Sequence, residues 1–132
     1  MSKRILVVDD KATLLSLMRM LLEDERYHVS VLQEGSGAVE HIRTAQPDLV
    51  ILDLKLEDAD GLDILRHLKA QQSTSDIPVI VYSAAVLESE QVANLIDDDP
   101  AHYGNVSVLQ KPFDLDALLE RVQTVLGAAE PS

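Results

Sequence analysis

Two apolar runs in this chain stop abruptly on aspartate. Ile5 to Val8 ends at Asp9 and Asp10, and Leu49 to Leu52 ends at Asp53. A short β-branched run without polar alternation is a strand buried on both faces, and such strands belong almost entirely to parallel sheets covered by helices. The carboxyl end of each strand is where it meets solvent. Acids at two such ends place negative charge along one edge of one sheet.

The rest of the chain supplies the other strands and the covering helices. His28 to Leu32 reads as a second strand, with Gly35 and Gly37 at its exit. Val79 to Tyr82 follows Pro78 and ends at Ser83, and Val106 to Leu109 is followed by Gln110, Lys111 and Pro112. Leu14, Leu17, Met18, Leu21 and Leu22 recur at helical spacing, and Glu23 to Arg26 close that segment. Ala38 to Ala45 is a short helix stopped before Pro47, and Asp60 and Gly61 open a helix carrying Leu62, Ile64, Leu65 and Leu68. Glu88 to Ile96 forms a helix with a thin stripe of Val92, Leu95 and Ile96, ended by Asp97 to Pro100. Asp114 caps a last helix through Leu126, which Gly127 closes.

Five strands alternating with five helices predict an α/β fold, a (βα)5 three-layer sandwich around one parallel sheet. The strand order 2-1-3-4-5 is the flavodoxin-like arrangement, whose crevice opens at the carboxyl ends of strands 1 and 3. Asp9, Asp10 and Asp53 fall in that crevice. With 132 residues the chain has the size of one domain, expected over 1–127, with 128–132 a loose tail or the start of a linker.

Composition removes several functional classes. There is no cysteine, so disulfides, thiol chemistry and thiolate zinc sites are excluded. Lys plus Arg total 11 against 23 for Asp plus Glu, a formal net charge of -12 that argues against direct nucleic-acid binding. No apolar run approaches the roughly 20 residues of a membrane span, and the N-terminus lacks the apolar core and cleavage site of a signal peptide. The expectation is a soluble cytoplasmic protein without membrane insertion. His28, His41, His67 and His102 lie in different elements without metal-ligand spacing.

Three converging carboxylates repel one another by roughly 4 kcal/mol per pair at 4 Å and an effective dielectric near 20, a conflict that a divalent cation resolves. Mg2+ suits oxygen-only donors, is commonly held by one or two carboxylates, and retains waters and phosphate oxygens. Asp10 and Asp53 are the candidate direct ligands, Asp9 one acting through water, and a main-chain carbonyl at Lys55 completes the set. Such a site is made for a phosphoryl group. Aspartate can accept one as an acyl phosphate, and Asp53, central in the sheet and facing the pair on strand 1, is the best acceptor. Lys111 can reach one phosphoryl oxygen, and the Ser83 hydroxyl can donate to another.

Each residue alone has an ordinary reading. Asp9 and Asp10 suit a helix-capping turn, Asp53 a strand-to-helix loop, Ser83 a helix cap, and Lys111 before proline a turn. It is their joint arrival at the carboxyl ends of neighbouring strands that carries the chemistry.

From Lys3 to Leu126 the chain resembles the receiver domain of two-component response regulators. ILVVDD matches the acidic pair, LVILDL the phosphoacceptor strand, VIVYSA the strand ending in a switch hydroxyl, and LQKPF the lysine-proline loop. The resemblance implies Mg2+-dependent phosphorelay signalling, with phosphoryl transfer to Asp53 from the phosphohistidine of a sensor histidine kinase or histidine phosphotransfer protein. It also implies slow self-dephosphorylation rather than turnover of a metabolite, and a cis Lys111–Pro112 bond. Output would pass to a downstream protein or a missing output domain by a switch of the surface from strand 4 to the last helix. That surface also offers a possible homodimer through the fourth helix, fifth strand and last helix.

The chain departs from the family pattern at several points. Glu57 stands where the family usually has proline, leaving loop stiffness open, while Gly61 keeps its place. Leu109 replaces an inward-turning aromatic, and the segment around LIDDDPAHYGNVS is several residues longer than usual. Lys55, two residues after the acceptor, could shield the phosphoryl group or pair with Glu57 and so slow its loss. Two other classes compete: a receiver-like interaction module independent of phosphorylation, and a small Mg2+-dependent aspartyl-phosphate phosphatase. The second lacks the usual acid two residues after its nucleophile, since Lys11 and Lys55 hold those positions. Flavin binding is weaker still, because the acidic crevice repels a cofactor phosphate.

Overall fold

A computed structural model describes residues 3–83, 86–110 and 114–127. In chain order the elements are β1 (Arg4–Val8), α1 (Ala12–Asp24), β2 (His28–Leu32), α2 (Ala38–Ala45), β3 (Leu49–Asp53) and α3 (Gly61–Ala70), continuing with β4 (Val79–Ser83), α4 (Val86–Asp98), α5 (Pro100–Tyr103), β5 (Val106–Gln110) and α6 (Leu115–Leu126). The sheet has five parallel strands in the order β2-β1-β3-β4-β5, as the apolar runs predict.

Side chains alternate across each strand and divide the interior into two cores. Leu6, Val8, Val50, Leu52, Val79 and Val81 face α2, α3 and α4, where Ile42, Leu65, Leu68 and Val92 meet them. Ile5, Val7, Leu49, Ile51, Ile80 and Tyr82 face α1 and α6, packing on Leu15, Met18, Leu22, Leu118 and Val122. Every residue of β3 and β4 is buried, so the ends of these two strands are held by the most deeply packed part of the molecule.

The helix count is corrected from five to six among the described residues. Helix α4 extends past both ends of the expected 88–96 span, and α5 then occupies part of the lengthened segment before β5. The Asp99 carboxylate caps this single turn by accepting the His102 backbone N–H, and Pro100 takes the first position, where its missing N–H costs nothing. The thin stripe on α4 is as read: Val92 is fully buried, while Leu95 and Ile96 are partly so. Lys111, Pro112 and the tail 128–132 lie outside the described residues.

Candidate functional site

Strand parity builds the site. Asp9 and Asp53 continue the alternation of Ile5, Val7, Leu49 and Ile51, so both carboxylates emerge on the α1 and α6 side. Oxygens of Asp9, Asp10 and Asp53 lie within 4.8 Å of one another. They form the one cluster of three or more potential metal-ligating side chains among the described residues. Asp9 is fully buried and Asp53 only 2% exposed.

Each acid is held by a donor. The Lys11 backbone N–H donates to Asp9 Oδ1 at 2.8 Å, the Lys55 N–H to Asp53 Oδ1 at 2.9 Å, and the Glu57 N–H to Asp10 Oδ2 at 2.7 Å. The Tyr82 hydroxyl donates to Asp9 Oδ2. The Lys11 ammonium lies 3.7 Å from Asp10 Oδ1 and 3.9 Å from Asp53 Oδ2, and offsets part of the cluster's charge. Helix α1 begins only after Lys11 and has no side-chain cap, so Asp9 and Asp10 are not its capping residues.

The loop from β3 to α3 is fixed at several points. The Gly61 N–H donates to Leu54 O at 3.0 Å, and a Cβ at Gly61 would stand 2.5 Å from Asp53 O, so only glycine permits this approach to the Asp53 peptide. The Asp58 carboxylate accepts the Ser36 and Gly35 N–H groups at 2.9 Å each, and these two bonds hold its pKa below the ordinary carboxylate value. Glu57 adds a further tie through its own N–H to Asp10 Oδ2. A proline has no N–H, so the residue that departs from the family pattern supplies the donor that holds Asp10.

Ser83 lies at the end of β4, 1% exposed, and its hydroxyl donates weakly to Glu88 Oε1 across 3.3 Å. Lys55 is exposed and makes no ion pair with Glu57 among the described residues. Burial first, then the bond to Asp9 and the surrounding negative charge, push the Tyr82 phenol far above its ordinary pKa, so it stays protonated and acts as a donor.

The contacts of Tyr82 and Lys11 with the acids were not part of the sequence reading. Tyr82 read as strand core; the available signal was an aromatic with a polar tip one residue from the strand end, on the parity of the acids. Lys11 was legible as a cation directly after the acidic pair.

Residues 5–123 match the family model of the response regulator receiver domain. The chain belongs to that family. Receiver domains work in phosphorelay signalling through phosphorylation of an aspartate, and typically bind Mg2+ at an acidic pocket. The chain is 35% identical over 131 residues to the response regulator MprA of Mycolicibacterium vanbaalenii, covering 99% of this chain and 53% of that protein. It thus spans about half the length of this relative. The signal receiver domain of a response regulator from Bermanella marisrubri superimposes with a TM-score of 0.76 at 28% identity, covering 96% of this chain and 99% of that one. The chemotaxis response regulator CheY4 of Vibrio cholerae, at 22% identity, shares the fold with a TM-score of 0.79, over 96% of this chain and 100% of that one. No helix among the described residues is long and apolar enough to cross a membrane.

Proposed function

We propose that this receiver domain accepts a phosphoryl group on Asp53 from the phosphohistidine of a sensor histidine kinase or histidine phosphotransfer protein. The observation that carries this reading is the convergence of Asp9, Asp10 and Asp53 within 4.8 Å at the ends of β1 and β3. A carboxylate oxygen of Asp53 forms the new O–P bond as the donor's P–N bond breaks, and the departing electron pair stays on the imidazole nitrogen, which takes a proton.

The donor set is all oxygen and strongly anionic, which fits Mg2+. Asp10 and Asp53 would hold it directly, Asp9 through water, and the Lys55 main-chain carbonyl would complete the protein's share. When bound, Mg2+ offsets the carboxylate repulsion and the charge on the transferring oxygens. Ser83 leaves Glu88 to donate to one phosphoryl oxygen, and Lys111 neutralises another. The Lys55 N–H on Oδ1 keeps the Asp53 carboxyl oriented for attack. The long cation of Lys55, exposed and close to the acceptor, shields the acyl phosphate and slows its loss to water.

Phosphorylation adds a nearly dianionic group at the sheet edge and shifts the surface from β4 to α6 towards a second arrangement. A downstream protein or a further output domain reads that surface, and α4, β5 and α6 form the face for a homodimer. The domain spans 1–127 and acts in the cytoplasm.

Intact mass after incubation with acetyl phosphate and Mg2+ tests this. The expected result is a gain of about 80 Da that disappears in Asp53→Ala and without Mg2+. An adduct that survives Asp53→Ala would overturn the assignment of the acceptor. Partner binding that is unchanged by an authentic adduct would favour a phosphorylation-independent interaction module.

A further inference from the structure

Tyr82 lies in a row with two of the acids. It is the register partner of Asp53 on β3, and Asp9 stands at the end of β1, one strand further along the same face. From β4 its hydroxyl passes the Asp53 position and reaches Asp9 Oδ2. Both partners are fully buried, so water does not compete for this bond. Leu109, opposite Tyr82 on β5, packs into the same core cluster.

Asp9 therefore has a donor on each oxygen: the Lys11 N–H on Oδ1 and the Tyr82 hydroxyl on Oδ2. A buried carboxylate so held has one orientation, and each oxygen keeps a lone pair for a further partner. Asp9, which would hold the ion through water, is an outer-shell group of that site, and disturbing such a group typically costs about 10–100-fold in metal affinity. A tyrosine with only a packing role needs no carboxylate partner, and Ile80, two residues earlier on the same face, fills that role with an aliphatic chain.

We propose that Tyr82 is a positioning residue of the divalent-cation site, orienting Asp9 through its hydroxyl so that the three carboxylates present a preformed set to Mg2+. This rests on the functional reading above and adds a residue to it. The role belongs to the hydroxyl, so Tyr82→Phe removes it while keeping the ring.

Mg2+ binding is measured by calorimetry on wild type, Tyr82→Phe and Tyr27→Phe, with circular dichroism to show that each is folded. Tyr27 is the control: it is also buried, but its hydroxyl donates to Gly127 O at 2.9 Å, apart from the acids. The expected result is a Kd for Mg2+ about tenfold weaker in Tyr82→Phe and unchanged in Tyr27→Phe. The chain has three tyrosines and no tryptophan, so near-ultraviolet difference spectra give a second readout. Mg2+ should produce a tyrosine difference band in wild type and in Tyr27→Phe that is missing in Tyr82→Phe. Equal Mg2+ affinity in wild type and Tyr82→Phe, or saturating Mg2+ without a tyrosine band in wild type, overturns the role of Tyr82 alone. Wild-type protein that takes up no Mg2+ overturns the functional reading itself.

Discussion

Replacing Lys11 by alanine should weaken the metal-free protein and strengthen its hold on Mg2+. The ammonium lies 3.7 Å from Asp10 and 3.9 Å from Asp53, on a side chain that is 60% exposed. At the dielectric of water each attraction is about 1 kcal/mol, and ordering a flexible lysine costs about 1–2 kcal/mol, so the net loss of stability is at most about 1 kcal/mol. A divalent cation held by the same carboxylates would be repelled by the ammonium, by about 2 kcal/mol for a separation of about 4 Å in water. Lysine can swing outward and relieve about half of this, which leaves about 1 kcal/mol, or roughly a fivefold gain in Mg2+ affinity for Lys11→Ala. Urea unfolding without metal measures the first effect and Mg2+ calorimetry the second. Both differences should shrink near 1 M salt, where the screening length falls to about 3 Å. Equal or weaker Mg2+ binding by Lys11→Ala at low salt would refute the reasoning.

Further perturbations follow from the packing around the site. Gly61→Ala drives a methyl group into Asp53 O and Leu54 Cα at 2.5 Å, where only backbone can move, and should cost about 1–3 kcal/mol in urea unfolding; unchanged stability contradicts the close approach. Asp58→Ala removes the acceptor of the Gly35 and Ser36 N–H groups, and hydrogen exchange at those two amides should accelerate while the amides of β3 keep their protection. Lys69 is buried, and its ammonium donates to Ser75 O at 3.0 Å and Ile77 O at 2.6 Å. Burial lowers its pKa from 10.5 to about 8, with Asp76 opposing the shift. Between those values the unfolded chain binds more protons, so this group's contribution to stability rises with pH, by about 1–2 kcal/mol once solvent screening is allowed for. That increment should be absent from the stability–pH curve of Lys69→Met, and an equal rise in the variant would contradict it.

The sheet was legible because its signal is local. The central strands β1, β3 and β4 are short apolar runs, and each stops at a polar residue, so the positions of Asp9, Asp53 and Ser83 at the strand ends could be read from the linear pattern. Helix α5 was missed because a single turn leaves no periodicity; its only marks are Asp99 before Pro100, which also read as the end of α4. The contacts around the acids were illegible for a different reason. Tyr82 and Asp9 lie 73 residues apart, and Glu57 and Asp10 lie 47 apart, so no spacing rule links them. Glu57 shows the cost most clearly. In the linear sequence it is a missing proline and a question of stiffness, whereas in three dimensions it is a backbone donor gained at a candidate metal ligand.

Chemical trapping locates the acceptor directly. Protein phosphorylated with acetyl phosphate and Mg2+ is reduced with borohydride, which converts an aspartyl phosphate to homoserine, and is then mapped by peptide mass spectrometry. Homoserine at position 53, and at neither 9 nor 10, is the predicted result. Homoserine at either acid of the pair, with position 53 still aspartate, would contradict the assignment of Asp53 as the residue that carries the signal.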